Sequence, residues 1–237
     1  MAGRRRTDPA QLQDGVVTAL VARRGQIERV AVHLDGRRAF DLSSTVADGA
    51  GLRAGDLLTA ERQSELLQQD APYRARERAL RLLGLRDRSR RELATRLRQA
   101  GFEPGVVEPT IEWLADLGYL DDRRFAAAYV AEKQRGGWGP RRIRSELGAK
   151  GVERSVVDEV VAELEDRDST ASATGDAILE QTVRRRFGGQ FATDPEGAER
   201  RLAGFLARRG YDWDTIGRMA RMLRAGPSSD AESPSIP

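Results

Sequence analysis

Apolar residues recur along this chain in one pattern that is repeated three times. In each copy, two apolar residues four positions apart precede a glycine, an apolar residue follows it, and a second apolar stripe with helical spacing comes next. The second copy lies 50 positions after the first and the third lies 59 positions after the second, without internal gaps. The matching positions are Leu93, Leu97, Gly101, Phe102, Val107, Ile111 and Leu114, then Ile143, Leu147, Gly151, Val152, Val157, Val161 and Leu164, then Leu202, Leu206, Gly210, Tyr211, Ile216, Ala220 and Leu223.

Each copy predicts two helices joined by a tight turn, because glycine suits the left-handed position that ends a helix. A further apolar helix precedes each pair, in residues 73–85, 125–134 and 178–186. One such unit cannot bury its apolar stripes alone, so we expect three-helix modules stacked or strung along the chain.

The N-terminal part has a different period. Residues 16–22, 27–34 and 38–42 are short β-rich runs, and Asp35-Gly36 between the last two favours a tight hairpin turn. These runs predict a small meander, followed by a helix at residues 61–69 that leads into the repeats. The predicted fold class is therefore mainly α, with tandem three-helix repeats in three modules and a small N-terminal β-rich segment.

These patterns divide the chain into seven segments. They are a disordered basic tail (1–14), a small β-meander with short helices (15–70), three-helix repeat 1 (71–120), three-helix repeat 2 (121–166), a linker (167–176), three-helix repeat 3 (177–224) and a disordered tail (225–237). The tails and the linker are assigned from their polar, low-complexity composition.

Composition narrows the class of protein. The 237 residues include 39% hydrophobic residues, no cysteine and a single histidine, His33. No apolar run is long enough to span a membrane, so we expect a cytoplasmic protein without a membrane partner. Because nothing resembles a metal-ligand spacing or a nucleophile with its base, we also expect no cofactor, no metal and no enzymatic activity.

Charge is arranged in blocks although the formal net charge is only +3. Residues 74–98 hold ten arginines against three acids, and residues 103–122 hold six acids and no base. The second repeat shows the same alternation, with nine bases and three acids in residues 123–154 and six acids and one arginine in residues 158–168. The blocks are typical either of paired helix faces or of a surface that contacts phosphate on one side and a protein on the other.

The basic blocks supply the candidate contacts to a partner. They are Arg88, Arg90, Arg91, Arg96 and Arg98 in the first repeat and Arg141, Arg142, Arg144 and Lys150 in the second. A second set of residues is expected to shape the repeats through caps, turns and helix starts. This set is Ser89, Gly101, Gly139, Pro140, Gly151 and Gly210.

Residues 78–164 resemble the RecX family of recombination regulators. The resemblance is carried by Arg78-Ala79-Leu80-Arg81-Leu82-Leu83, Arg88-Ser89 with Glu92-Leu93, Leu117-Gly118-Tyr119-Leu120-Asp121-Asp122, Arg124-Phe125-Ala126, Tyr129-Val130, Gly139-Pro140-Arg141-Arg142-Ile143, Glu146-Leu147 and Lys150-Gly151-Val152. It implies an all-helical body of tandem three-helix units.

The resemblance also implies a function. RecX proteins bind the RecA recombinase, enter the groove of its filament on single-stranded DNA and restrain it, although in some organisms they assist it. The expected role is non-enzymatic inhibition of the ATPase, recombinase and coprotease activities of RecA, in DNA repair, homologous recombination and the SOS response. The expected partners are the RecA filament, single-stranded DNA and, as a further candidate, double-stranded DNA, and we expect a monomer.

A DNA-binding protein that acts alone, such as a repressor, is the alternative. Paired helices with a tight glycine turn resemble helix-turn-helix units, and this alternative requires sequence preference on duplex DNA. The second helices carry arginine but little outward Asn or Gln, which favours phosphate contact over base reading.

Overall fold

The computed structural model describes residues 12–23, 28–170 and 174–226, and ten helices and four strands lie in these residues. The chain divides into two compact units, Met1–Arg88 with Glu92–Leu120 and Ser89–Arg91 with Asp121–Pro237. The predicted fold class of helical repeats with a small N-terminal β-rich segment is confirmed. Positions 1–11 and 227–237 of the predicted tails lie outside the described residues. The predicted boundary at residue 14 is wrong, because Asp14 accepts a hydrogen bond from the backbone N–H of Ala60 at 2.8 Å.

Four antiparallel strands form the sheet of the first unit, in the order β3-β2-β1-β4. The strands are β1 (Gly15–Arg23), β2 (Arg29–Leu34), β3 (Arg37–Ser43) and β4 (Leu57–Leu58). Between β2 and β3, Asp35 and Gly36 have φ angles of 50° and 77°, as a two-residue hairpin turn of the primed type requires. Strand β4 is not predicted from the sequence, because two residues are too few to show an alternation.

Two helices complete this part of the first unit, α1 (Ser44–Gly49) and α2 (Ala60–Leu83). Helix α2 passes through Pro72, so the predicted break between helices at 61–69 and 73–85 is wrong. Proline leaves the carbonyl four residues earlier without its usual donor, and the Arg74 guanidinium donates to the neighbouring carbonyl of Leu67 at 3.3 Å. The boundary predicted between residues 70 and 71 therefore lies inside one helix.

Asp70 holds α2 against the sheet two residues before Pro72. Its carboxylate accepts hydrogen bonds from Nη1 and Nη2 of Arg29 at 2.9 and 2.8 Å, and from the backbone N–H of Ser43 at 2.7 Å. Asp70 is fully buried and Arg29 is 6% exposed. Burial raises the pKa of Asp70, and the hydrogen bonds and charge of Arg29 partly offset that rise. The bidentate geometry fixes α2 against strands β2 and β3.

The three repeats form three-helix modules. The first contains the second half of α2, α3 (Arg90–Gln99) and α4 (Pro104–Asp116); the second contains α5 (Asp122–Arg135), α6 (Pro140–Ala149) and α7 (Arg154–Thr170); the third contains α8 (Thr174–Thr193), α9 (Pro195–Arg209) and α10 (Trp213–Arg224). Most of the described apolar repeat positions are buried in one separate core per module, and Phe102 and Tyr211 pack against these cores while partly buried. Helix covers positions 167–170 and 174–176 of the predicted linker, and residues 171–173 lie outside the described part.

Candidate interaction surface

The second and third helices of each module are joined by a turn of one geometry. Gly101, Gly151 and Gly210 have φ angles of 83°, 80° and 86°, in the left-handed region that favours glycine. The apolar residue after each glycine donates its N–H to a carbonyl five positions earlier, as when Phe102 donates to Leu97 at 3.2 Å. Equivalent bonds of 3.1 Å close the other two turns, so each turn caps its helix in the same way.

Within the second unit, the residue that precedes a second helix contacts the closing turn of the next module. Ser89 Oγ donates to the carbonyl of Lys150 at 2.5 Å, and the backbone N–H of Gly139 donates to the carbonyl of Arg209 at 2.7 Å. Ser89 and Gly139 are 50 positions apart, and Lys150 and Arg209 are 59 positions apart, which are the two repeat offsets. We call this the docking contact; it occurs twice with equivalent residues.

Close backbone approach explains the glycines at the docking contact. A Cβ atom on Gly210 would lie 2.5 Å from the backbone nitrogen of Arg142, and one on Gly139 would lie 2.6 Å from the carbonyl of Gly210. At the first occurrence, a Cβ atom on Gly151 would lie 2.5 Å from Cβ of Arg91. Pro140 is the first residue of α6, directly after Gly139. Three of the predicted shaping residues thus allow two turns to touch.

The side chains of Trp138 and Arg142 add contacts to the second docking contact. The guanidinium of Arg142 lies 4.0 Å from the centroid of the Trp138 ring, and its Nη1 donates to the carbonyl of Arg208 at 3.1 Å. From the third module, Nη1 of Arg209 donates to the carbonyls of Gly136 and Gly137 at 2.9 and 3.1 Å. The predicted contact residue Arg142 is therefore part of the packing.

Tyr129 and Lys150 extend this cluster in the second module. The Lys150 ammonium lies 5.1 Å from the centroid of the Tyr129 ring, and the Tyr129 hydroxyl donates to the carboxylate of Glu146. Burial raises the pKa of Tyr129, and the hydrogen bond to Glu146 and its charge raise it further. Lys150, a predicted contact residue, is half-buried beside this ring.

In the first module, Arg88 forms an ion pair and is not exposed to solvent as a free contact residue would be. Arg88 is 9% exposed, its Nη1 donates to Glu92 at 2.5 Å, and its Nε donates to the carbonyl of Leu82 at 3.3 Å. Arg86 also donates to Glu92. Burial raises the pKa of Glu92, but the hydrogen bonds and charges of the two arginines outweigh it, so that pKa lies below its ordinary value.

Other predicted contact residues pair with the acidic third helices. Arg98 Nη2 donates to Glu108 at 2.6 Å, and Nε of Arg144 lies 3.6 Å from Asp158. The hydrogen bond from Arg98 lowers the pKa of Glu108. Part of the charge alternation in the sequence is therefore used for pairing inside modules, as the first interpretation of the blocks expects.

Arg90 and Arg141 present their side chains to solvent. Both are exposed, and neither forms an ion pair within the described residues. The backbone N–H of Arg90 donates to Asp122 at 2.8 Å, and that of Arg141 donates to the carbonyl of Gly210 at 3.2 Å. Their backbone N–H groups are therefore paired beside the docking contacts, while their side chains remain exposed.

A groove in the first module brings together residues of α2 and α3. It has a volume of about 340 Å³ and is lined by Arg78, Leu82, Arg88, Arg96, Gln99 and Ala100. Sequence reasoning placed Arg88 and Arg96 among the contacts but missed Arg78, which entered only as part of the family pattern. The three arginines come together because the fold places one face of α2 beside α3. We call this site the Arg78 groove.

The described part of the chain holds neither a membrane-spanning helix nor a cluster of metal ligands. None of its helices is long and apolar enough to cross a membrane. Among the same residues, no group of three or more His, Cys, Asp or Glu side chains is placed to hold a metal ion.

Family models match each of the three modules. The models for the first, second and third three-helix domains of RecX match residues 75–114, 121–161 and 175–219. The first match begins inside α2, downstream of Pro72. The matches therefore follow the modules rather than the N-terminal sheet.

Relatives named regulatory protein RecX show the same likeness over longer stretches. That of Halorhodospira halophila is 43% identical over 141 residues, which are 60% of this chain and 83% of the relative. That of Pseudomonas entomophila is 35% identical over 150 residues, covering 63% of this chain and 92% of the relative.

Two crystal structures share the fold. The first, of a regulatory protein RecX, has a TM-score of 0.63 at 21% identity and covers 87% of this chain and 99% of that one. The second, of RecX from Lactobacillus salivarius, has a TM-score of 0.57 at 20% identity and covers 66% and 99%.

Proposed function

This chain belongs to the RecX family, and we propose on that basis that it regulates the RecA recombinase. In this proposal it binds the RecA filament on single-stranded DNA and inhibits the ATPase, recombinase and coprotease activities of RecA. Contacts to DNA are made by arginines on the second helices of the modules.

The repeated docking contact is the observation that carries this proposal. A filament presents the same subunit surface at regular intervals, so a partner that contacts several subunits benefits from repeating its own surface. In the second unit, the contacts of Ser89 with Lys150 and of Gly139 with Arg209 are made by equivalent residues of the repeats. Because the contact is made by backbone atoms and a buried serine, it leaves neighbouring cations for a partner.

Arg90 and Arg141 are the cations that we propose for direct contact with RecA or DNA. They lie beside the two docking contacts, and their exposed guanidinium groups suit bidentate contacts to carboxylate or phosphate. We propose that Arg88, Arg91, Arg98, Arg142, Arg144 and Lys150 support the surface mainly through their contacts within the chain. Arg96 belongs to the Arg78 groove.

We further propose that the chain acts without catalysis, in DNA repair and homologous recombination, and in the cytoplasm. The supporting observation is its composition, because the sequence holds one histidine and no cysteine. Binding to a filament needs neither a cofactor nor a nucleophile.

A filament-binding assay tests the proposal. Labelled protein is mixed with RecA filaments preformed on poly(dT) with a slowly hydrolysed ATP analogue, and with the same poly(dT) without RecA. We expect the filament to bind at least about tenfold more tightly than bare DNA, because two partners contribute contacts. Equal binding to both would contradict a filament-specific role.

The double variant Arg90→Glu/Arg141→Glu tests whether these two arginines contact RecA or DNA in the filament. Acidic residues in the first turn of a helix are favourable, so both helices should still form. We expect filament binding to weaken by at least about tenfold. The matched control is Arg38→Glu/Arg62→Glu, which reverses two exposed arginines of the first unit that pair with Asp41 and Glu65. Unchanged binding of the first variant would remove these two arginines from the surface.

A further inference from the structure

The Arg78 groove has no counterpart of the same chemistry in the second module. Its residue Arg88 is equivalent to Trp138, 50 positions later. In the second module the Trp138 ring packs against the core and is covered by the guanidinium of Arg142. In the first module a cation lies at the position of the ring, and a groove remains between α2 and α3.

The charge of the groove is not balanced by its lining. None of the six lining residues is acidic, and Arg88 shares Glu92 with Arg86, so this trio keeps one net positive charge. Arg96 donates to the neutral amide oxygen of Gln99 at 3.3 Å. Arg78 is exposed and forms no hydrogen bond or ion pair within the described residues.

The lining also has an apolar wall. Leu82 and Ala100 are half-buried and lie among the arginines. A volume of about 340 Å³ is in the range of small-molecule sites and exceeds what one carboxylate needs. One nucleotide of a strand offers both parts of the match, a phosphate for the guanidinium groups and a sugar for the apolar wall.

We propose that the Arg78 groove binds the phosphate backbone of a single-stranded nucleic acid. Arg78 and Arg96 contact the phosphate directly, and the buried Arg88, held by Glu92, orients the site and contributes charge. This inference deepens the proposed function, since it assigns contact with the strand to a defined site on the first module. It uses residues other than the proposed Arg90 and Arg141 contacts.

The test measures binding of a fluorescent oligo(dT) to the full chain without RecA, over a range of salt concentrations. We expect Arg78→Gln/Arg96→Gln to weaken binding by at least about tenfold and to reduce the slope of log affinity against log salt by about 1.4, or about 0.7 for each lost phosphate contact on a single strand. The control Arg38→Gln/Arg62→Gln removes the same charge from exposed, paired arginines of the first unit and should change neither quantity. Circular dichroism confirms that both variants fold.

Three competitors identify the source of the anion. A methylphosphonate oligo(dT), which lacks backbone charge, should bind the wild type and the groove variant equally weakly. Inorganic phosphate at the same phosphate concentration should not displace oligo(dT), because it lacks the sugar and the neighbouring phosphates. Polyglutamate that displaces oligo(dT) as well as unlabelled oligo(dT) does would assign the groove to an acidic peptide and overturn the proposal, as would wild-type binding and slope in the groove variant.

The RecA ATPase separates this inference from the proposed function. If the wild type suppresses the ATPase but the groove variant binds oligo(dT) normally, the groove assignment fails and the regulator proposal stands. If the groove variant loses oligo(dT) while the wild type leaves the ATPase unchanged, the groove stands and the regulator proposal fails.

Discussion

The first and second modules fill one equivalent pair of positions with different chemistry. In the first module the pair is Arg88 and Glu92, which form a partly buried ion pair. In the second module the pair is Trp138 and Arg142, whose guanidinium lies over the indole ring. Both pairs are four residues apart at the start of a second helix, next to a docking contact.

The difference shows which part of the repeat is constrained. The docking contact is kept, because the Ser89 hydroxyl and the Gly139 backbone N–H both donate to a carbonyl of the next closing turn. The side chains beside it vary, because an ion pair and a cation–π pair can both cover the helix start. The ion pair lies beside a groove lined by arginines, whereas at the equivalent position of the second module an aromatic ring packs against the core under a guanidinium.

Replacing Gly210, which packs against Arg142 of the second module, should cause the largest loss of stability. In Gly210→Ala, the new Cβ meets the backbone of Arg142 at 2.5 Å, and alanine is strained at a φ of 86°. We expect the free energy of unfolding to fall by about 3 kcal/mol, as the sum of left-handed strain and overpacking. Urea denaturation followed by circular dichroism measures it.

The control for this variant is Gly118→Ala. Gly118 also has a positive φ, of 73°, but an added Cβ meets nothing within 4 Å. The expected loss is about 1 kcal/mol, from strain alone. Equal losses in the two variants would show that the docking contact is looser than the described distances.

Low pH should weaken the Arg88–Glu92 ion pair of the first module but not the Trp138–Arg142 cation–π pair of the second. Because the pKa of folded Glu92 lies below its ordinary value of 4.5, the pair stabilises the fold above that value and loses its effect as pH falls through the lowered pKa. We expect Glu92→Gln to lower the free energy of unfolding by about 2 kcal/mol near neutral pH, because the buried Arg88 loses a partner. The difference should shrink toward zero once the pH falls below that lowered pKa.

Urea denaturation of both proteins across this pH range checks the sign. The control is Glu112→Gln, an exposed carboxylate of α4 without an ion pair in the described part of the chain. It should have little effect at any pH. A Glu92→Gln effect that stays constant into acid would show that the side chain acts by packing and not by charge.

The cation–π pair should give the smallest effect of the three. A double-mutant cycle with Trp138→Leu and Arg142→Gln should report a coupling of about 1 kcal/mol that persists in high salt. The control cycle pairs Trp138→Leu with Arg141→Gln, whose side chain makes no described contact with the ring, and should give a coupling near zero. Zero coupling in the first cycle would remove the contrast between the modules.

The repeat could be predicted from the sequence because its offsets are constant. Positions such as Leu93, Ile143 and Leu202 follow from spacing alone, and all three are buried. The closing glycines are predicted for the same reason, since only a few residues tolerate a positive φ. Long-range contacts were not predictable, because Asp70 and Arg29 are 41 positions apart and no local pattern joins them. That pair fixes α2 against the sheet next to Pro72, where the sequence alone predicts a helix break.

The candidate site was only partly predictable. Charge clustering identified the basic helices, but it could not separate the exposed Arg90 from the nearly buried Arg88, since that depends on Glu92 and on the carbonyl of Leu82. One signal for the groove was present in the sequence: a cation at position 88 where the equivalent residue of the next repeat is Trp138. The position of Arg78 beside it depends on the packing of α2 and α3.

The most direct test of the central claim is the single-strand-dependent ATPase of RecA with increasing amounts of this protein. We predict suppression at amounts too small to coat the DNA, together with weak binding to the same DNA without RecA. An unchanged ATPase, combined with tight and sequence-selective binding to duplex DNA, would contradict the account and support a DNA-binding protein that acts alone.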